Sequence, residues 1–126
     1  MNVPDNLKYT NDHEWIKIED KTGLIGITEY AQGELGDVVF VDIDPNLTNI
    51  VKGDSFGTIE AVKTVSDMYA PCNGKIIEIN KELTDNPEFV NNDPYGKGWM
   101  VKIEISELSE LNDLLDSSAY KKLIGQ

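Results

Sequence analysis

Lys63 is the residue of this chain whose setting best suits covalent chemistry. It lies between two short segments rich in strand-forming residues, 57–62 and 64–70, and this pattern predicts a lysine at the tip of a β-hairpin. The amine stands at the end of a flexible stem and reaches solvent whichever way the strands pack. Acylation would remove its charge and attach a long arm with a reactive end. Most hairpin lysines only add solubility, so the position needs support from its neighbours.

His13 and Cys72 are the other side chains that could react, and their settings support a chemical role less well than that of Lys63. His13 and Glu14 are adjacent in a predicted strand, where neighbouring side chains point to opposite faces, so we do not expect an acid–base pair. His13 is interpreted as a surface or partner-contact residue and, as the only histidine, it excludes a multi-histidine metal site. Cys72 is the only cysteine, which excludes an internal disulfide and favours a packed or idle thiol. We recognise no catalytic triad, metal cluster or phosphate-binding loop.

The segments around Lys63 predict a β-meander. Pro71 cannot donate a ladder hydrogen bond, so the strand after Lys63 should end there. Asn73 and Gly74 then predict a turn with positive φ, followed by a strand over 75–80. Lys63 would therefore occupy a tight loop at one end of a small β domain.

The remaining chain reads as β-rich with short helices. Strands over 13–18 and 24–27 flank a hairpin loop at 19–23. Thr28 predicts the N-cap of a short helix that ends near Leu35, with Gly36 as its stop. A strand over 38–43 follows, and its continuous apolar run predicts burial on both faces or nearly so.

The C-terminal third combines helical turns, one strand and a segment whose apolar residues have helical spacing. Asn86 before Pro87 predicts an N-cap and a helical turn over 87–91, and 99–105 reads as the last strand. From about residue 107 to 126 the period becomes helical. Leu108, Leu111 and Leu115 fall on one face, Ser109 and Ser117 are candidate N-caps, and Gly125 is a stop. We expect one broken or two short helices packed on the β domain.

Size and charge limit the class of protein. The 126 residues favour a single domain over 1–126, with no apolar run long enough to cross a bilayer. The N-terminus lacks the features of a signal or transit peptide, so we expect a cytoplasmic protein of bacterial or archaeal type. A net charge of −12 argues against nucleic acid and anionic membranes as partners, and it favours a partner with a basic docking surface.

An ordered set of blocks covers almost the whole chain and resembles the H proteins of the glycine cleavage system. The blocks are residues 7–9 with 13–15, 25–28 with 31–32, 35–41, 59–64, 80–83, 91–95 and 98–100. Departures are small: Ala61 stands where a serine is usual, and Cys72 where valine or isoleucine is common. Residues 44–52 differ more but are expected to form a loop.

The resemblance implies a barrel-sandwich hybrid of two antiparallel sheets, with short helices and a C-terminal helical segment. It implies lipoic acid in amide linkage to Lys63 and a carrier without catalysis of its own. Such a carrier takes the aminomethyl group of glycine from the pyridoxal-phosphate glycine decarboxylase (P protein) to the aminomethyltransferase (T protein). Dihydrolipoamide dehydrogenase (L protein) then reoxidises the arm, and lipoate-attaching enzymes install it. In this arrangement the cofactor supplies the chemistry and the protein presents it.

Three carboxylates are candidates for work beside such an arm. A loaded arm ends in a cationic amine, which Glu14 and Asp67 could hold by charge-assisted hydrogen bonds in a docking cleft. Glu60, three residues before Lys63, is a candidate contact for the attaching enzyme. In each case the alternative of a solvated carboxylate stays open.

Other functions remain possible at this point. An H-like lipoyl protein in lipoate relay or another pathway would carry the same blocks. A biotinyl carrier domain usually flanks its lysine with methionines, whereas Val62 and Thr64 flank Lys63 here. A lipoyl domain of an acyltransferase typically shows Asp-Lys at the tip and lacks the C-terminal helices. An enzyme using Cys72 or His13 would show turnover in isolation.

Overall fold

Two antiparallel β-sheets share one hydrophobic core in this computed structural model, which describes residues 2–126. One sheet has six strands in the order β1-β2-β3-β9-β8-β5, and the other has three in the order β4-β6-β7. The strands are β1 Lys8–Tyr9, β2 Glu14–Glu19, β3 Thr22–Ile27, β4 Val38–Asp42, β5 Asn49–Ile50, β6 Ser55–Ala61, β7 Val65–Tyr69, β8 Gly74–Ile79 and β9 Val101–Ile105. The helices are α1 Glu29–Leu35, α2 Glu82–Asp85, α3 Phe89–Asn92 and α4 Ser117–Leu123, with a 3₁₀ helix at Leu108–Asp113.

The core lies between the sheets because each contributes its alternating apolar face. Ile16, Ile25 and Ile103 come from the six-stranded sheet, and Ile59 and Met68 come from the three-stranded sheet. All five are at most 1% exposed. Burying a side chain of this size contributes roughly 2 kcal/mol each, so the contact between the sheets is a main source of stability. The predicted two-sheet β architecture is confirmed.

The local signals at the start of the chain give the predicted elements. β2 and β3 pair up to Glu19↔Thr22, which leaves a two-residue turn in which Asp20 has φ 55°. Thr28 caps α1 by accepting a hydrogen bond from the Ala31 backbone at 3.1 Å. Gly36 ends that helix with φ 79°, a conformation that glycine adopts without strain. The first hairpin and α1 are therefore confirmed.

The predicted meander after Lys63 is wrong. β7 and β8 belong to different sheets, so the chain crosses between the sheets at residues 70–73. Gly74 has no positive φ; it begins β8 opposite Ile105. A Cβ there would lie 2.6 Å from Ile103 Cδ1. The glycine is needed for the close approach of β8 to β9 and not for a turn.

The prediction of a strand over 38–43 buried on both faces is also wrong. β4 is an edge strand of the three-stranded sheet, and its pairing with β6 shifts at a bulge between Val38 and Phe40. Val39 is 51% exposed and Phe40 43% exposed. A bulge changes the direction of side chains, which is why two consecutive apolar residues here face solvent.

Three predicted helix caps lie elsewhere. Asn86 ends α2, where its backbone N–H donates to Glu82, and α3 begins at Phe89 after Glu88. The 3₁₀ helix begins after Glu107 without a side-chain cap, so Ser109 caps nothing. Asp116 and not Ser117 caps α4, since its carboxylate accepts from the Ala119 backbone at 2.8 Å. At α4 the cap is still a local one, moved by one residue from Ser117 to Asp116.

Each of the two C-terminal helices is packed on the rest of the fold through a buried residue near its middle. Leu111 is buried in the main core, whereas Leu108 is 43% exposed, so the predicted leucine face is only partly buried. Tyr120 of α4 stacks on Tyr9 with ring centroids 4.6 Å apart. No helix among residues 2–126 is long and apolar enough to span a membrane.

Candidate functional site

Lys63 lies at the tip of the β6–β7 hairpin, as predicted. The strands pair from Ser55↔Tyr69 to Glu60↔Val65, and the Ala61 N–H donates to the Thr64 carbonyl at 2.8 Å. Val62 and Lys63 form the two-residue loop, and both are exposed. The Lys63 amine is therefore presented to solvent by a hydrogen-bonded loop.

A second segment supports this loop. The Val62 N–H donates to the carbonyl of Asp37 at 3.0 Å. The Lys63 stem lies against the backbone of Gly36, where an added Cβ would be 3.8 Å from both Lys63 Cδ and Cε. The connection from α1 to β4 thus braces the hairpin tip and one side of the lysine. The glycine that ends α1 thus lies beside the Lys63 stem, and no local sequence pattern predicts this contact.

Glu14 is a buried carboxylate at the edge of the three-stranded sheet. It is only 2% exposed, and it accepts hydrogen bonds from Thr10 Oγ1 at 2.6 Å and from the Tyr69 N–H at 3.2 Å. The second bond satisfies a backbone donor of the edge strand β7, which would otherwise be left unpaired. Burial raises the pKa of Glu14 to about 7, and the two hydrogen bonds oppose the rise.

Glu14 borders a cavity of about 200 Å³. The cavity is lined by residues at the start of β2 and the turn before it, the connection from β5 to β6, the end of β7, and the end of the 3₁₀ helix with the segment after it. These are Tyr9, Thr10, Asn11, Asp12, Glu14, Lys52, Gly53, Tyr69, Ala70, Pro71, Asp113, Leu114 and Leu115. Lys52 Nζ pairs with Asp113 Oδ2 at 3.1 Å on its rim. The space is polar, has a buried carboxylate in its wall, and lies at the far end of β7 from Lys63.

Asp67 occupies the middle of the same strand. It is exposed and pairs with Thr58, and Ser55 Oγ lies 3.4 Å from its Oδ1. It does not line the cavity beside Glu14. Residues two apart on a strand share a face, so Asp67 and Tyr69 lie on one side of β7. Of the two predicted docking carboxylates, Asp67 thus lies midway along β7, whereas Glu14 belongs to β2 and meets β7 only at Tyr69. The two do not share one cavity.

Glu60 is exposed on β6 in register with both neighbouring strands, opposite Phe40 on β4 and Val65 on β7. Its carboxylate is therefore accessible beside the Lys63 loop. This position suits a contact with an approaching enzyme, and it equally suits a solvated residue. Its role stays a prediction.

His13 and Cys72, the other reactive side chains considered from the sequence, are both packed against neighbouring residues. His13 precedes β2 with φ 69°, and its Nδ1 lies 2.9 Å from the Tyr120 hydroxyl, whereas Glu14 bonds Thr10 and Tyr69. Burial lowers the pKa of His13. Cys72 is fully buried, and burial raises the pKa of its thiol to about 11, which leaves it protonated at neutral pH. Residues 2–126 contain no cluster of three or more potential metal ligands.

Sequence reasoning missed the partners that hold Glu14. Thr10 Oγ1 also accepts from the backbone N–H of Asp12 and of Glu14, so one hydroxyl organises the turn that leads into β2. Thr10 at the start of the Thr10-Asn11-Asp12 sequence was a usable signal for this turn. The contact with Tyr69 joins positions far apart in the chain, and no local pattern predicts it.

Comparison with known proteins agrees with this geometry. The family model described as Glycine cleavage H-protein matches residues 7–126. The glycine cleavage system H proteins of Staphylococcus haemolyticus (strain JCSC1435) and Staphylococcus carnosus (strain TM300) are 57% and 55% identical, each over 100% of both chains. The crystal structure of a glycine cleavage system H protein from Mycobacterium marinum has a TM-score of 0.90 at 37% identity, covering 98% of this chain and 100% of that one.

These alignments run almost from end to end and include the hairpin, its supporting segment and the C-terminal helices. The structural match also confirms the barrel-sandwich fold that the sequence blocks implied. The chain therefore belongs to the glycine cleavage H-protein family.

Proposed function

We propose that Lys63 carries lipoic acid in amide linkage and that the chain is a non-catalytic carrier in the cytoplasm. The observation that supports this most directly is the exposed lysine at the tip of a braced hairpin. As a member of its family, the chain is the lipoyl carrier of the glycine cleavage system. Its proposed partners are the glycine decarboxylase, the aminomethyltransferase, dihydrolipoamide dehydrogenase and the lipoate-attaching enzymes.

The residues at the tip suit this attachment. Neither of the two ion pairs among residues 2–126 involves Lys63, so no carboxylate has to be displaced before the amine reacts. Val62 and Thr64 on either side are exposed and leave room for an enzyme to enclose the lysine. Gly36 presents only backbone to the stem, so the base of the arm is supported without a side chain in its way.

Lipoic acid, when bound, supplies a dithiolane that accepts an aminomethyl group and becomes reduced in the exchange. The protein's part is to hold the attachment point rigid while the arm moves. Tethering raises the local concentration of the arm at each enzyme to which the carrier docks. This function needs no acid–base pair, which fits the separate partners of His13 and Glu14.

The edge of β7 offers the arm a place to rest. Val65 and Tyr69 are four residue steps apart on β7, about 13 Å, and Asp67 lies midway. An arm that folds back from Lys63 along β7 would meet the exposed Asp67 first and then the buried Glu14. A cationic amine beside either carboxylate would form a charge-assisted hydrogen bond. With its pKa near 7, Glu14 becomes a better acceptor once an amine binds, because the amine stabilises the ionised form.

Intact-mass measurement with peptide mapping tests the attachment. We expect protein incubated with lipoate, ATP and a lipoate-attaching enzyme to gain one lipoyl group, located on the peptide that contains Lys63. Lys63→Arg should gain nothing, and Lys75→Arg, which changes an exposed lysine on the other sheet, should gain the same mass as wild type. A lipoyl group on another lysine, or biotin in its place, would contradict the proposal.

A further inference from the structure

The segment that braces the Lys63 loop is itself held by one side chain, Asn91 of α3. Asn91 Oδ1 accepts a hydrogen bond from the Val38 N–H at 2.8 Å, and Asn91 Nδ2 donates to the Gly36 carbonyl at 2.9 Å. These two backbone groups lie on either side of Asp37. One carboxamide therefore holds the connection from α1 to β4 on both sides of its central residue. We call these two hydrogen bonds the Asn91 clamp.

These partners require a carboxamide. The Gly36 carbonyl can only accept and the Val38 N–H can only donate, so together they fix which end of the amide is oxygen and which is nitrogen. The same Nδ2 also donates to Gln32 Oε1 of α1 at 2.9 Å. A carboxylate has the same shape but no N–H, so of these three partners it could serve only the Val38 N–H.

The place of Asn91 is fixed independently of the segment that it holds. Its neighbour Val90 is fully buried in the main core, which anchors the short helix α3. Asn91 itself is half-buried, and Asp37 is exposed. The clamp therefore connects a helix that is packed on the core to a surface segment that has little packing of its own.

The same surface segment contacts the loop that carries Lys63. The Asp37 carbonyl accepts from the Val62 N–H at 3.0 Å, and the Gly36 backbone lies against the Lys63 stem. Asn91 thus holds the backbone groups on both sides of Asp37 and leaves the Asp37 carbonyl to hold the loop. Only this one residue separates the clamp from the loop.

We propose that Asn91 is a positioning residue for Lys63. By holding the connection from α1 to β4, it fixes the group that bonds the loop and the backbone that supports the lysine stem. The proposal rests on the proposed function, in which an attaching enzyme must take up this lysine. Without the clamp, the loop holds its ordered conformation for a smaller fraction of the time, and the apparent affinity of the enzyme falls by that fraction.

Hydrogen exchange of the Val62 amide, measured by NMR on the full chain, tests the clamp without any cofactor. We expect Asn91→Ala and Asn91→Asp each to speed exchange of this amide by about ten-fold, because the carbonyl that holds it is no longer fixed. The Ala61 amide, which is bonded to Thr64 within the hairpin at 2.8 Å, should keep its wild-type rate. Asn92→Ala changes the next residue of α3, which is exposed, and should leave both amides unchanged.

Acylation kinetics measure the consequence for the lysine. Surface loops open at little cost, so a ten-fold rise in opening makes the open form a major one. With lipoate, ATP and a lipoate-attaching enzyme, we expect Asn91→Ala and Asn91→Asp to raise the KM for the carrier by about three-fold and to leave kcat unchanged, because the clamp affects binding and not the chemical step. Asn92→Ala should match wild type in both constants.

Four results would overturn the proposal. These are wild-type exchange of the Val62 amide in Asn91→Ala, an equal effect of Asn92→Ala, and an unchanged KM in Asn91→Ala. The fourth is an equal rise in exchange at the amide of the buried Ile16, which would show general destabilisation in place of a local clamp. Failure of the proposed function is distinct, because it leaves the exchange results intact and appears as wild-type protein that gains no lipoyl mass.

Discussion

At the scale of single residues, Glu14 departs most from ordinary behaviour. Its carboxylate is buried with two hydrogen bonds but without a cation, so the ionised form is costly. A folded-state pKa of about 7 against a usual 4.5 means that the folded protein holds this proton more tightly than the unfolded chain. The penalty is absent below pH 4.5, grows as the pH rises, and is complete above 7.

Replacing Glu14 by glutamine should therefore stabilise the protein at high pH. The amide has no charge to bury, and its oxygen can accept from Tyr69. Its NH2 group then faces the Thr10 hydroxyl, which already accepts from two backbone N–H groups, so one hydrogen bond is lost at every pH. We expect the stability of the variant relative to wild type to be more favourable at pH 8 than near pH 4 by at most about 3 kcal/mol, because wild-type Glu14 is mostly protonated in both states at pH 4. Thermal melts of both proteins at the two pH values measure it. A gain that is independent of pH would contradict the assignment.

The proposed docking role of Asp67 on β7 and of Glu14 beside the end of β7 has a separate kinetic test. Protein loaded with an aminomethyl group should lose ammonia several-fold faster in Asp67→Asn and Glu14→Gln than in wild type, because each variant removes a charge-assisted hydrogen bond worth roughly 1 kcal/mol or more. Asp42→Asn removes an exposed carboxylate from β4, at the opposite edge of the sheet, and should leave the rate unchanged. Equal rates in all four proteins would remove the idea of a resting place on β7.

At the scale of elements, the end of α1 is in contact with the loop that carries Lys63. Gly36 ends the helix, supports the Lys63 stem and precedes Asp37, whose carbonyl holds the loop. Gly33 lies inside the same helix with open space around it and no positive φ. One glycine is therefore required by its backbone conformation, whereas the other only weakens the helix.

This contrast predicts opposite effects of the same substitution. Gly33→Ala should raise the stability by about 0.5–1 kcal/mol through the helix preference of alanine. Gly36→Ala should lower it by roughly 1–3 kcal/mol, since φ 79° with ψ −157° is a conformation that essentially only glycine adopts. Thermal unfolding of the two variants gives both signs in one experiment. Destabilisation by Gly33→Ala would contradict the conclusion that Gly33 only weakens the helix.

Local chemistry was enough to predict the elements whose signals lie within a few residues. The Thr28 cap, the Gly36 stop, the first hairpin and the Lys63 tip are of this kind. What failed depended on distant partners. The Asn73-Gly74 sequence suggested a turn, whereas Gly74 pairs with Ile105 of a strand that is distant in sequence. The exposure of β4 likewise follows from its place at a sheet edge, which its own residues do not reveal. Glu14 could be proposed for the site, but its bond to Tyr69 could not.

At the scale of the whole molecule, the two sheets have different roles. The six-stranded sheet packs the N-terminus and α4 against one end, through Tyr9 and Tyr120. The three-stranded sheet presents Lys63 and exposed apolar side chains at the same end, and its other charged residues are all acidic. A net charge of −12 keeps the carrier soluble and steers it toward basic surfaces, so encounters with its enzymes should slow as salt increases.

Glycine breakdown in a reconstituted system of all four components tests the central claim most directly. Lys63→Arg keeps the positive charge and the fold but cannot accept an acyl arm. We expect it to reduce formation of carbon dioxide from glycine to the level of a mixture without the carrier, and Lys75→Arg to leave the wild-type rate. Wild-type turnover with Lys63→Arg would contradict the assignment of Lys63 as the tether.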